Sequence, residues 1–323
     1  RDRNVHLTLD VRFQLKAEEI LAKQLEAAKA EQGSVVVMDA STGDVFAMAS
    51  APMSEPLDRA RYGLYPPGST FKLVTAMAAL RKDPSLTHRT YACRRLPDGR
   101  VGITIPGWNR PIKDDIGDHA HGSLDMEQAI AVSCNAYFAQ LGVYEVGTKR
   151  LEETAAMLGI STGETRELRK ALPFAAYGQG PVLLSPFKMA RVAATVASGG
   201  RMPQGRWIAD DSNDRNEAPV EIVPPDQAAF LARAMRRVVT EGTARGPMAG
   251  ATISFAGKTG TAQLDTGLPH AWFAGFAPYD TPPANSHRLA FAVLVEHGGY
   301  GARAAAPIAR QVIEAAKQLG LLP

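Results

Sequence analysis

The chain has 323 residues, 45% of them hydrophobic and 21% charged, with a formal net charge of only +3. That profile belongs to an ordinary globular protein, either one large domain or two subdomains packed around one site. It argues against nucleic-acid binding, since no basic block alternates with aromatics. The longest apolar runs, such as Val192 to Ala197 and Leu289 to Val295, fall far short of the ~20 residues that span a bilayer. Two cysteines, Cys93 and Cys134, are too few for a disulfide scaffold and lack metal-site spacing, so two separate buried thiols are expected rather than a bridge. The chain begins at Arg1 with no Met, signal peptide or anchor, which reads as a piece of a longer protein.

In chain order, Phe13 to Ala30 sets Leu15, Ile20, Leu21 and Leu25 among Lys and Glu, an amphipathic helix. Residues 34–39 and 45–50 are apolar and flank Ala40-Ser-Thr-Gly-Asp44, which predicts a β-hairpin. Helical segments follow at 69–81, 123–141 and 186–198, the last closed by Gly199-Gly200. Pro203 to Pro225 is polar and Pro-rich, a surface loop rather than a linker. Asp226 to Thr240 forms another helix. Three apolar stretches, 251–263, His270 to Phe276 and Arg288 to Glu296, predict three strands, and Pro307 to Leu319 a closing helix with Pro near its first turn. The fold class is therefore α+β: an antiparallel five-stranded sheet from the two ends of the chain, flanked by terminal helices, with a mostly helical insertion. The α/β part covers about 1–66 and 200–323, and the helical part about 67–199. The cleft between them is the default place for a site.

Three short motifs carry chemistry. In Tyr65-Pro-Pro-Gly-Ser69-Thr-Phe-Lys72, Pro and Gly end one segment and a helix starts near Ser69, so Ser69 and Lys72 share a helical face. A serine hydroxyl is a weak nucleophile and needs an adjacent base. Burial and the positive end of the helix dipole would both lower the pKa of Lys72 and let it accept the Ser69 proton. The same helix start aims the Ser69 N–H at a forming oxyanion. Ser133-Cys134-Asn135 lies in an apolar helical run. Residues two apart diverge on a straight helix, so Ser133 and Asn135 can reach one cleft only from a bend or junction. Gly257-Lys258-Thr259-Gly260-Thr261-Ala262 sits in a predicted strand, where Gly260 signals close backbone approach, Lys258 supplies a cation and Thr259 and Thr261 supply hydroxyls. Each motif alone is most often structural. Their order makes them strong together, because Ser-x-x-Lys, Ser-x-Asn and Lys-Thr-Gly in that sequence mark the penicillin-recognising serine enzymes.

On these residues the chain resembles the transpeptidase domain of penicillin-binding proteins, and the likeness extends over nearly its whole length. It includes Leu7-Thr-Leu-Asp10, Val36-Val-Met-Asp39 with Ser41-Thr-Gly-Asp44, Tyr177-Gly-Gln-Gly180 before Leu184-Ser-Pro186, and Trp272-Phe-Ala-Gly-Phe-Ala-Pro278. Tyr-Pro-Pro-Gly before the serine and His121-Gly122 ahead of Ser133-Cys-Asn135 are closest to monofunctional (class B) members. The resemblance implies D,D-transpeptidation of peptidoglycan stem peptides ending in D-Ala-D-Ala, with β-lactams as covalent inhibitors. It implies Ser69 as nucleophile, Lys72 as base, Ser133 as proton relay and Asn135 as a ligand of both substrate amide and Lys72. Lys258, Thr259, Gly260 and Thr261 would bind substrate, Lys258 also supporting proton transfer, and the N–H groups of Ser69 and Thr261 would form the oxyanion hole. It implies no cofactor or metal, a membrane glycan polymerase as partner, and a place on the extracytoplasmic face of the bacterial cytoplasmic membrane. A D,D-carboxypeptidase or a non-enzymatic β-lactam sensor shares the motifs. A β-lactamase would need a water-activating Glu; Glu164 and Glu167 lie in that region but lack the Glu-x-x-Leu-Asn form. The loop Lys113-Asp-Asp-Ile-Gly-Asp-His-Ala-His121 is acidic and His-bearing, and is expected to be solvated because spacing fixes no third metal ligand.

Overall fold

The computed structural model describes residues 4–209, 218–283 and 286–323. Its centre is one five-stranded antiparallel sheet of β1 (Gly33–Asp39), β2 (Val45–Ala51), β9 (Ala256–Ala262), β10 (His270–Ala277) and β11 (Leu289–Val295), in the order β2-β1-β11-β10-β9. Val35 pairs with Val293 and Trp272 with Gly260, so the ends of the chain interleave. β1, β10 and β11 are buried along their whole length, which requires cover on both faces. α1 (Val11–Ala28) and α10 (Gly301–Gln318) pack together on one face; α7 (Pro186–Ala197) and α8 (Pro225–Thr240) cover the other. α1 forms because Phe13, Ala17, Ile20, Leu21 and Leu25 fall on one stripe. Asp10 caps its first turn through the N–H groups of Arg12 and Phe13, and Lys29 ends it in the left-handed region.

The five-stranded antiparallel sheet with terminal helices packed on it follows the expectation from sequence; both terminal helices lie on one face, and α7 and α8 supply the cover of the other. The boundaries differ in three places. The strand expected over 251–263 begins only at Ala256, after a turn. The closing helix starts at Gly301, so Pro307 lies inside α10 rather than in its first turn. The run 123–141 is two helices, α3 (Met126–Val132) and α4 (Asn135–Leu141), not one.

The middle of the chain is less purely helical than expected. Besides α2 (Lys72–Lys82), α5 (Gly147–Met157) and α6 (Thr165–Ala175), it holds a second sheet of order β5-β4-β3-β6. Its strands, β3 (Tyr91–Arg95), β4 (Val101–Ile103), β5 (Ile112–Lys113) and β6 (Gly122–Leu124), are too short to show a period of two in sequence. Of the Pro203 to Pro225 loop, 210–217 lie outside the described residues. Its start is anchored by Arg206, which pairs with Asp44, and by Trp207 against Phe187. A two-residue pair, β7 (Arg201–Met202) with β8 (Val220–Glu221), closes it ahead of α8, and the four-residue α9 (Arg245–Met248) follows.

Candidate active site

The Tyr65 to Lys72 stretch crosses the edge of the main sheet. A single 3-10 turn, Gly68–Phe71, leads directly into α2, whose first residue is Lys72. The turn is held from both sides. Gly68 has φ +53, and a Cβ there would lie 2.5 Å from the Thr261 carbonyl oxygen; Gly178 has φ +85, and a Cβ there would lie 2.0 Å from the Gly68 oxygen. Only glycine takes those angles at that spacing without strain. The Gly68 N–H donates to Gly178 O at 3.0 Å. Upstream, Trp272 Nε1 donates to Pro66 O at 3.0 Å, and Tyr65 Oη donates at 2.7 Å to Glu296, which also pairs with buried Arg59 at 2.9 Å.

Ser69 is partly exposed at the floor of a cleft of about 1190 Å³, whose walls include Ser133, Asn135, Thr259 and Thr261. Lys72 is completely buried beneath it. Its Nζ lies 2.9 Å from Ser69 Oγ, 3.2 Å from Ser133 Oγ and 2.6 Å from Asn135 Oδ1, and it also donates to Ser133 O. Burial lowers the Lys72 pKa to about 8 against the pull of Asp114 and other acidic groups.

Ser133 and Asn135 meet Lys72 because the helix breaks between them. Asp125 and Gln128 form a capping box at the start of α3, while Ser133 ends that helix in the left-handed region at φ +63. Cys134 then caps α4, its Sγ accepting from Tyr137 N. This junction is what the i,i+2 spacing demanded.

Lys258 is fully buried in β9 and donates to Ser133 Oγ at 2.8 Å and to Thr259 O at 3.0 Å. Its pKa falls well below the ordinary lysine value, first through burial and then through the neighbouring Lys72. Lys258 therefore sits behind the cleft wall, next to the hydroxyl it would tune, while Thr259 and Thr261 face the cleft. Thr259 Oγ1 pairs with Thr243 Oγ1 at 2.6 Å. Gly260 is small for a protein reason: a Cβ there would meet Thr70 Cγ2 and Trp272 Cβ at 2.9 Å and Pro67 O at 3.0 Å. Strand β9 is the sheet edge against which the Ser69 turn rests.

Sequence reasoning missed the support behind Asn135. Lys113 O accepts from Asn135 Nδ2 at 2.9 Å, and the Asp114 carboxylate accepts from the Asn135 N–H. Burial raises the Asp114 pKa to about 7. The acidic loop expected to be solvated is so only in part. Ile116 and His119 are exposed, yet the side chains of Asp114 and His121 are 2% and 4% exposed and reach Cys93 and Cys134. Both thiols are free and buried, as expected, but they adjoin one carboxylate rather than lying apart. Asp114 directly follows β5 and His121 directly precedes β6, and strands of two and three residues give no periodic signal of this burial. Glu164 and Glu167 sit at the exposed start of α6, Glu167 paired with Lys170 at 2.9 Å, and neither lines the cleft.

A cleft-floor serine bonded to a buried lysine, a Ser-x-Asn junction and a Lys-Thr-Gly edge strand together are the motif set of the penicillin-recognising class. The chain belongs to the penicillin binding protein transpeptidase domain family, whose model matches residues 33–314. It is 32% identical over 350 residues to the peptidoglycan D,D-transpeptidase PbpA of Mycolicibacterium smegmatis, covering 90% of this chain and 68% of that one. Among solved structures it is similar to penicillin-binding protein A from M. tuberculosis as a penicillin G acyl-enzyme complex, with TM-score 0.79, 28% identity and coverage of 98% of this chain and 81% of that one. It also matches a chain of a peptidoglycan synthase complex that coordinates polymerization and crosslinking, with TM-score 0.81, 30% identity, and 96% and 62% coverage.

Proposed function

We propose that this chain is the catalytic domain of a peptidoglycan D,D-transpeptidase working through an acyl-enzyme on Ser69. The observation that carries the reading is the placement of Lys72 Nζ, fully buried and within 3.2 Å of Ser69 Oγ, Ser133 Oγ and Asn135 Oδ1. In its neutral form Lys72 takes the Ser69 proton as Oγ attacks the carbonyl of the penultimate D-Ala. The N–H groups of Ser69 and Thr261 hold the oxyanion, a donor pair of which each member is worth ~2.7–4 kcal/mol in comparable sites. Ser133, polarised by Lys258 at 2.8 Å, passes a proton to the departing D-Ala amine. The acyl group then moves to an acceptor amine, and Ser69 regains its proton. A β-lactam enters by the same attack and stays attached. Asn135 orients the substrate amide, and Thr259 and Thr261 on the cleft wall take the terminal carboxylate.

The names of the relatives support a peptidoglycan substrate, and the likeness to a chain of a complex that coordinates polymerization and crosslinking supports a glycan polymerase as partner; the same reading puts the work at the outer face of the cytoplasmic membrane. Among the described residues no helix is long and apolar enough to cross a membrane. The test uses labelled penicillin and a D-Ala-D-Ala peptide with an amine acceptor. Label should attach to Ser69, Ser69→Ala should remain folded and unlabelled, and the wild-type chain should form cross-linked dimer. Labelling of the Ala variant would remove the nucleophile assignment, and D-Ala release without dimer would replace transpeptidation by carboxypeptidation.

A further inference from the structure

We propose that Gln179 is a specificity-determining residue: its side-chain amide closes the free edge of β9 at Gln263 and so fixes how far along that edge a peptide donor can pair. β9 ends the main sheet, with β10 as its neighbour, and an edge strand offers its outward N–H and C=O groups to an extended peptide. In the orientation that matches donor to acceptor, Gln179 Oε1 accepts from the Gln263 N–H at 3.0 Å and Gln179 Nε2 donates to Gln263 O at 3.3 Å. Exchanging both bonds with one residue is what the hydrogen-bonded rung of an antiparallel ladder does. Here a side-chain amide stands where a peptide group would.

The amide is held by the same backbone that places Ser69. Gly178 and Gly180, on either side of Gln179, take φ +85 and +78. The Gln179 N–H donates to Phe174 O at 3.1 Å at the end of α6, and Gly178 O accepts from the Gly68 N–H. Gln179 and Gln263 both line the cleft. Ladder bonds on one side of a strand recur every second residue, so an outward Gln263 makes Thr261 the next outward rung, while Gly260 and Ala262 face Trp272 and His270. The inference rests on the reading above, in which the Thr261 N–H holds the oxyanion and the terminal carboxylate lies on the Thr259 side. A donor so placed runs antiparallel to β9. Its next rung, two residues before the penultimate D-Ala, falls on Gln263. That rung is taken, so the chain recognises the last three residues of a donor and draws nothing from the backbone beyond them.

The test compares D-Ala release, as kcat/KM, from acetyl-Lys(acetyl)-D-Ala-D-Ala and from the same peptide lengthened by one glycine, acetyl-Gly-Lys(acetyl)-D-Ala-D-Ala. Only the longer donor carries an N–H that can reach Gln263 O. In the wild-type chain the long-to-short ratio should lie within about twofold of one, and in Gln179→Ala it should rise about fivefold, the worth of one ordinary hydrogen bond. Gln179→Glu keeps the side chain's length but cannot donate to Gln263 O, so it should raise the ratio too, and it keeps the proposal testable if the Ala variant does not fold. Replacing the added glycine by glycolate removes the N–H, and the gain should vanish. A merely structural Gln179 would slow both donors equally, and an unchanged ratio in the variants would overturn the proposal. So would a gain that survives glycolate, or a wild-type preference for the longer donor that falls in Gln179→Ala. No D-Ala release from either donor would sink the transpeptidase reading itself and this inference with it, whereas turnover with an unmoved ratio sinks only the closed edge.

Discussion

The chemistry of single residues turns on how an amine loses its proton at neutral pH. With a pKa of about 8, Lys72 is neutral in about 9% of molecules at pH 7, against about 0.04% for a lysine at 10.4. Burial supplies that shift, and the charge of Asp114 and the other acidic groups around it limits it by favouring the charged form. In the mechanism proposed above the neutral amine is the base, which sets the sign: β-lactam acylation should rise with pH and level off above about 8. Stopped-flow acylation rates from pH 6 to 9.5 read this directly, and a profile that falls over that range would contradict it. Lys72→Arg keeps the charge but cannot give up its proton, so acylation should fall by at least about 10²-fold, the lower end of general-base catalysis. Lys258 calls for a different experiment. Its amine lies behind the wall on Ser133 Oγ, so Lys258→Ala should slow acylation by carboxylate-bearing and neutral ligands alike. A selective loss of carboxylate ligands would instead make it a direct anion clamp.

At the level of elements, the decisive feature is a helix that stops for two residues. Ser133 in the left-handed region and Cys134 as cap turn α4 away from α3 and bring Ser133 and Asn135 onto one lysine. The need for that break was legible in the i,i+2 spacing. Its position was not, because Ala131-Val-Ser-Cys-Asn135 contains no Gly or Pro to mark it. The main sheet was legible because long apolar strands bounded by turn residues are a strong signal. The second sheet was hidden in strands of two to five residues, and the burial of Asp114 and His121 depends on that sheet. Asp125→Ala removes the cap of α3 and should cost about 1 kcal/mol, read as a lower denaturant midpoint with unchanged slope. Gly178→Ala acts elsewhere: its Cβ would strike Gly68 O, displacing the Ser69 turn. Acylation should drop at least tenfold, while an unaltered rate would show that the turn tolerates the shift.

Across the whole molecule, the residues proposed for catalysis are shared between distant stretches of one chain. Ser69, Lys72, Ser133 and Asn135 ride on the middle, whereas Lys258, Thr259 and Thr261 ride on an edge strand of the sheet built from both ends. α10 covers β10 and β11 with Ala305, Ile308, Val312 and Ile313, all buried. A chain cut after Tyr300 would expose that face, and calorimetry should show no cooperative transition; a sharp one would mean the sheet stands without its last helix. The order β2-β1-β11-β10-β9 has a further effect during synthesis. The hairpin of β1 and β2 is made early, yet Val35 must wait for Val293 before the sheet can close. A growing polypeptide thus carries its serine and lysine long before it has the wall they work against. Unfinished chains should be indifferent to penicillin, and sensitivity to the drug would arrive only with the last strands.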